Sequence, residues 1–533
     1  MHRPSLAACC CLVLAAIATA GPAQTIPRRP HDKTLAGRFA TDTATARLVI
    51  KFHQGTGVRA TDAGLTVATG YPQIINPYVP QMSRSQLLAD LSATVAVARK
   101  ARSRFAPLVA DSPTALASWQ ASGEASLHRE LADLSLYFQI SLGDGGKGLD
   151  LAALVADLNR LRAVEIAYLE PVASPFDGYA TNPPPGPYSC SPADITLPAP
   201  NLEGDQGYLA AAPVGVDAFA AWTYAGGRGA GLRLVDVEGG HREHSDHPTL
   251  FQVVGQPVDD FREHSCQVVG VIAALDNGAG TTGIASEVSL GSRSIFNFNL
   301  FPTQQENWEN SANAAHHLYW AAKHSLQGVV LVELQRVGPL DMSCPCGGAC
   351  TATPVEYWPA EFDVIETATA NGVVVVEAAA NGGHNLDSPV FGGLFDRANR
   401  DSGAILVTGS QALTRVPQCF SGSPNSGSRV DVHSWGEDIV TTGFGTPGHR
   451  IHSDGLCNSY IDNFKGSSGA SAIVAGVVAS LQGAALANLG AKLDPFTLRQ
   501  LLVDTGTTQA AGPHGELIGP QPNLAAALAE LLP

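Results

Sequence analysis

Apolar residues follow two rhythms along this chain, and the change falls at a proline-rich stretch near its first third. Before that stretch, ARLVIKF (46–52) alternates as a strand does, and SQLLADLSATVAVARKARSRF (85–105) repeats its apolar positions at helical steps. LSLYFQISL (134–142), DLAALVADLNRL (150–161) and VEIAYLEP (164–171) then read as strand, helix and strand. This mixture predicts a small α+β domain over 21–172. Residues 173–200 hold many prolines and no periodicity, which marks a linker. From 201 to 533 the pattern becomes continuous apolar runs of strand length, GLRLVDV, VSLGSRSIF, GVVLVELQ, VVVVEAAAN and GAILVTGS, separated by helical segments such as SANAAHHLYWAAKHS. Strands apolar on both faces predict a doubly wound α/β domain with a mostly parallel sheet.

Composition narrows the class. The 533 residues are 45% hydrophobic, enough for a large core. A net charge of −16 with 15% charged residues and no Lys/Arg-rich run argues against nucleic acid or an anionic membrane surface as partner. Residues 1–20, with His2 and Arg3, an apolar run and a small-residue site at Ala18-Thr19-Ala20, read as a signal peptide, so the protein is expected to be secreted, extracellular or periplasmic. Beyond it no segment is expected to span a membrane. Seven cysteines would remain after removal of the signal: Cys190, Cys266, Cys344, Cys346, Cys350, Cys419 and Cys457. Export favours disulfides, the odd number leaves a thiol over, and MSCPCGGAC reads as a loop stapled to itself or to a neighbour. A metal knuckle there would need a fourth ligand that the sequence does not point out.

In parallel sheets, functional groups gather at the carboxyl ends of the strands. Asp236 closes the strand in GLRLVDV, His264 stands at the start of the helix that follows, Asn381 ends VVVVEAAAN, and Ser468 lies in the first turn of a helix packed on nearly every side. A serine there is either an N-cap or a nucleophile beside the unpaired N–H groups and the positive helix end. Asp, His, Asn and Ser at the mouths of separate elements supply what acyl transfer requires: orienting carboxylate, general base, oxyanion donor and nucleophile.

VDVEGG, HSCQVVGVIAALDNGAGTTGIA, VVVVEAAANGG and GSSGASAIVAG resemble, in this order, the Asp, His, Asn and Ser motifs of the subtilisin-like serine proteases, and HPTL (247–250) is similar to the HPDL of that family. The resemblance covers about residues 200–530. It implies a subtilisin-like fold and a serine endopeptidase with Asp236, His264 and Ser468 as catalytic triad and Asn381 in the oxyanion hole. Ser467 takes the place of the threonine next to the nucleophile. It implies a peptide or protein substrate, no cofactor for the chemistry, and room for structural calcium. The upstream domain resembles a subtilase propeptide, which implies a zymogen whose own N-terminal domain is an intramolecular inhibitor. Departures stand at Ser265, Cys266 and Ala472, and at Ala380, where the family has Gly, Thr, Pro and Gly. A Gly-to-Ser change beside the base would matter if that backbone needed positive φ. Gln335, Arg336 and Val337 replace the small residues of the family's substrate-pocket wall.

Three further features bear on function. His241, His244 and His247 at three-residue steps raise the alternative of a metal-dependent hydrolase, against which stands their place in a polar loop. A silent subtilase-fold binding protein is the other alternative. Finally, VVLVE (329–333) and VVVVE (373–377) share one pattern, which in matching register would set Glu333 and Glu377 about 4.8 Å apart on neighbouring strands.

Overall fold

A computed structural model describes residues 25–532 apart from 40–44, 63, 102, 143–147, 174–189, 257–258, 297–311, 342–343, 348–349 and 447. The signal peptide and most of the linker lie outside the described residues.

The upstream segment folds around a four-stranded antiparallel sheet with strands β1 (Thr45–Phe52), β2 (Phe105–Pro107), β3 (Tyr137–Ser141) and β4 (Val164–Pro171), in the order β2-β3-β1-β4. Leu48, Val49 and Ile50 are fully buried, so β1 is apolar on both faces and takes an inner position between β3 and β4. Helices α1 (Arg84–Lys100), α2 (Pro113–Leu127) and α3 (Leu151–Arg160) accompany it. A capping box between Ser83 and Gln86 starts α1. The helix expected to run to 105 stops at Lys100, and 105–107 turn into the edge strand β2. The periodicity missed α2, because only Leu116, Trp119 and Gly123 of it are buried among Ala and Ser.

The second part is built on a seven-stranded parallel sheet of β5 (Arg233–Glu238), β6 (Gln252–Val254), β7 (Ser289–Ser294), β8 (Val329–Val332), β11 (Val374–Ala378), β12 (Ile405–Ser410) and β13 (Val432–Trp435). Its order is β13-β12-β11-β8-β5-β7-β6, so the chain reverses direction across the sheet between β5 and β8. That is the crevice at which doubly wound sheets place their sites. An antiparallel hairpin, β9 (Gln335–Asp341) with β10 (Cys350–Pro354), leaves the end of β8. Strands β14 (Ile439–Thr442), β15 (Arg450–His452) and β16 (Tyr460–Phe464) form a small sheet that delivers the chain to the core helix.

Four helices matter for the site: α4 (Asp259–Ala273), α5 (Ala314–His324), α6 (Pro359–Ala370) and α7 (Gly466–Leu489). By length and composition α7 could cross a membrane, contrary to the expectation that no later segment would, but 89% of its most apolar window is buried inside the protein. It is the central core helix. The α/β doubly wound reading of the second part therefore holds.

The two parts share one apolar cluster that runs from Leu48, Ile50 and Tyr168 to Leu318, Trp358 and Ile365. Ionic contacts cross the same boundary: Lys51 Nζ lies 2.6 Å from Asp363 Oδ2, and the Tyr137 hydroxyl donates to the same oxygen at 2.6 Å. The Arg28 and Lys51 cations hold the Asp363 carboxyl well below the usual carboxylate range against the opposing effect of burial.

The cysteines pair as Cys190–Cys457, Cys344–Cys350 and Cys346–Cys419, with Cys266 free and buried. The Cys-rich loop is thus stapled both to itself and to a neighbour.

Register overturns the expected Glu333–Glu377 pair. Val329 stands opposite Val374, so Glu377 faces Val332 and the two glutamates are displaced by one residue. A one-residue shift in a strand turns a side chain to the other face. Glu377 instead accepts from the Glu356 N–H at 2.9 Å, while Glu333 lies beside β5, its N–H donating to Val237 O at 3.1 Å.

Candidate active site

Ser468 does not cap α7. The N-cap position is Lys465, without a side-chain cap, and the two serines follow in the first turn, where N–H groups have no helical acceptor. Ser467 donates from its N–H and its hydroxyl to Asn381 Oδ1, at 2.9 and 3.1 Å. This fixes the Asn381 carboxamide with its NH2 as the remaining donor end. The Ser468 hydroxyl is buried with no hydrogen-bond partner of good geometry, next to the Glu333 carboxyl. Ser471, one turn on, donates from its hydroxyl to Glu333. The chain enters α7 through Gly466, whose φ of 82° belongs to the left-handed region; a Cβ there would lie 3.0 Å from Asn381 Nδ2.

His264 sits in the middle of α4, which begins five residues before the expected start. Its Nδ1 lies 2.7 Å from Glu238 Oε2, and its ring meets Phe464 edge-on with centroids 5.7 Å apart. Phe464 precedes Ser468 by four residues, so the His264 ring packs on the strand that leads into α7.

Asp236 does not hold His264. It lies two residues back on β5, fully buried, and accepts from the Ser265 hydroxyl at 3.3 Å. On a strand, residues i and i+2 share a face, so Asp236 and Glu238 both point to α4, and the one nearer the strand end reaches the ring. Three buried carboxyls gather here: Asp236, Glu238 and, past the end of the adjacent β8, Glu333. Burial first, and then their mutual repulsion, push the carboxyls of Asp236 and Glu333 well above the usual range.

Among the pocket residues, alternation along β9 separates what the sequence grouped. Gln335 is half-buried and its Oε1 accepts from the Asn381 N–H at 3.1 Å, which places it at the site. Val337 shares its face of the strand. Arg336 points the opposite way, fully buried, with Nη2 2.7 Å from Glu170 and 2.8 Å from Glu361. It is no pocket residue; it ties β4 of the upstream part to α6.

Ser265 is helical, so the substitution beside His264 requires no unusual backbone. The strain falls at Ala380, with φ of 70°. A left-handed alanine costs about 1–2 kcal/mol, and it is set directly before Asn381.

Among the described residues, the histidine loop does not gather into a set of ligand atoms close enough to share an ion. His244 uses both ring nitrogens, with Ser459 O at 3.0 Å and the Asp246 N–H at 3.2 Å, and His247 Nε2 contacts the Thr442 hydroxyl at 2.9 Å. Burial pulls His241 down to about 4 and His244 to about 3, so both are neutral. Among the described residues, Cys346, Cys419, His514 and Glu516 have ligand atoms within 4.8 Å of one another. The sequence reading lacked those last two groups. The sulfurs are joined in a disulfide, and the set does not fit calcium, which takes oxygen ligands throughout.

A model of the subtilase family matches residues 238–517, beginning at the glutamate that meets His264. The chain belongs to the subtilase family and is a subtilisin-like serine endopeptidase. It is 25% identical over 307 residues to an intracellular serine protease of Paenibacillus polymyxa, covering 54% of this chain and 78% of that one. It is similar in structure to fervidolysin of Fervidobacterium pennivorans, described as a keratinolytic enzyme related to subtilisin, with a TM-score of 0.50, 16% identity, and coverage of 96% of this chain and 63% of that one. A protease of Pseudoalteromonas arctica PAMC 21717 matches with a TM-score of 0.42 and 18% identity over 63% of this chain and all of that one.

Proposed function

We propose that this chain is an exported serine endopeptidase, made as a zymogen, whose triad is Glu238, His264 and Ser468. The observation that carries the reading is the 2.7 Å contact from His264 Nδ1 to Glu238, on the corner where Ser468 opens the core helix. Ser468 Oγ attacks the substrate carbonyl as His264 Nε2 takes its proton, and Glu238 holds the Nδ1–H and stabilises the imidazolium. The Asn381 NH2 and the Ser468 N–H bind the oxyanion. The imidazolium protonates the departing amine, and water, deprotonated by the same ring, releases the acyl group from Ser468. No step requires a cofactor.

The N-terminal domain acts as intramolecular inhibitor until it is cut off within the linker. Support comes from its shared core with α5 and α6 and from the buried Arg336–Glu170 contact across the boundary. Export is supported by the signal-like residues 1–20 and by three disulfides. The test is hydrolysis of a peptide library by the mature enzyme and by Ser468→Ala, His264→Ala and Glu238→Gln. Loss in all three supports the reading, and full activity in any one of them refutes it.

A further inference from the structure

The reaction assigns a task to Glu238 but none to the carboxyl beside it. Asp236 and Glu238 lie on one face of β5, both without solvent exposure. Each retains one buried oxygen without a well-aligned hydrogen bond, Asp236 Oδ1 and Glu238 Oε1, although the Ser265 hydroxyl and the Gly239 N–H lie near Glu238, and the two side chains lie within hydrogen-bonding reach of one another. Two buried carboxylates at that distance cannot both carry charge, and the pair of orphaned acceptors is satisfied at once by a proton between them. The groups that face the pair are His264 and the Ser265 hydroxyl from α4, Glu333 from the β8 end, and, opposite in register on β7, Ser292 and Ser294. None of these, apart from His264 when it is protonated, is a cation.

We propose that Asp236 is a positioning residue: it carries a proton at neutral pH, donates it to Glu238, and so keeps Glu238 ionised and turned toward His264 Nδ1. The proton rests on Asp236 because Glu238 already has the imidazole N–H on its other oxygen and gains most from staying charged. Burial leaves both carboxyls well above the usual range, with Glu333 adding to the rise of Glu238; within the pair the hydrogen bond raises Asp236 and lowers Glu238, so the first proton goes to Asp236. The proposal rests on the reading of Glu238 as the orienting carboxylate.

An asparagine can donate the same hydrogen bond; an alanine or a leucine cannot. The experiment is the pH profile of kcat/KM for wild type, Asp236→Asn, Asp236→Ala, Asp236→Leu and Glu238→Gln. Asp236→Asn should stay within about tenfold of wild type with its acid limb in place, since the conservative variant preserves the donor. Asp236→Ala and Asp236→Leu should fall further, with the acid limb moved to higher pH, because an unshared Glu238 charge binds the imidazolium more tightly. Difference infrared spectra of wild type against Asp236→Asn at neutral pH, which need no activity, should show the loss of a protonated carboxylic-acid C=O band. Asp236→Asn as impaired as Asp236→Ala, or no such band, would overturn the shared proton while leaving the triad intact. An active Glu238→Gln would instead remove the reading on which it rests.

Discussion

His264 Nδ1 is held by Glu238 at 2.7 Å, and Asp236, two residues earlier on the same strand, makes its contact with Ser265 instead. The relation ranks the variants. Glu238→Gln should lower kcat on the order of 10⁴-fold, as loss of the orienting carboxylate does in other Ser-His triads. Steady-state kinetics with one peptide substrate checks the ranking, and a Glu238→Gln enzyme within tenfold of wild type contradicts it.

Asn381 and the two serines separate by role. Asn381→Leu should cost about 100- to 1000-fold in kcat with little change in KM, because its donor acts on the oxyanion. Ser467→Ala removes one of two hydrogen bonds to Asn381 and should cost much less, about tenfold. Equal losses in both would mean that Ser467, not the Asn381 amide, carries the effect.

How much of this was legible in the sequence follows from periodicity. Ser468, His264 and Asn381 each stand alone in a distinctive motif, and the parallel sheet follows from strands apolar on both faces. The sequence pointed to Asp236 as partner of the base, whereas the contact with His264 is made by Glu238; the two share a strand face, and linear spacing does not tell which one reaches the ring. Arg336 was grouped with Gln335 although alternation sends neighbours on β9 to opposite sides. The Glu333–Glu377 pairing failed for a related reason: identical strings do not fix register, and the alignment is Val329 with Val374. His514 and Glu516 meet Cys346 and Cys419 from a segment far away in sequence, which no local pattern announces.

The Arg336 contact should be costly to break. Its guanidinium is fully buried between Glu170 and Glu361, so Arg336→Ala leaves Glu361 without this cation and Glu170 with Arg47 alone, and should destabilise the full-length chain by about 3 kcal/mol. Urea unfolding in a Ser468→Ala background, where self-digestion is prevented, measures this. A change below about 1 kcal/mol would show that the contact contributes nothing to docking of the two parts.

Glu333 should make stability depend on pH. Its folded pKa is raised above an unfolded value of about 4.3, so the folded protein binds more protons between the two, and stability falls as pH rises through that window. Glu333→Gln can still accept from the Ser471 hydroxyl and carries no charge. Its Tm should exceed that of the parent increasingly from acid to neutral pH, again in the Ser468→Ala background. Parallel Tm curves would contradict a protonated, buried Glu333.

Processing has a signature set by the Cys190–Cys457 disulfide. A cut in 174–189 frees the upstream domain from the covalent chain, whereas a cut after Cys190 leaves it tethered until reduction. Wild type should give a shorter band on both reducing and non-reducing gels, and Ser468→Ala should remain full length. A shorter band only after reduction would move the cut beyond Cys190.

The most direct measurement is the site of covalent labelling by a serine-reactive peptidyl phosphonate, read by intact mass and peptide mapping. A peptidase acting through Ser468 takes up one equivalent on the peptide that contains Ser468, and Ser468→Ala takes up none. An adduct on Ser467 or elsewhere, or no adduct on a processed and folded wild-type enzyme, would contradict the assignment of Ser468 as nucleophile.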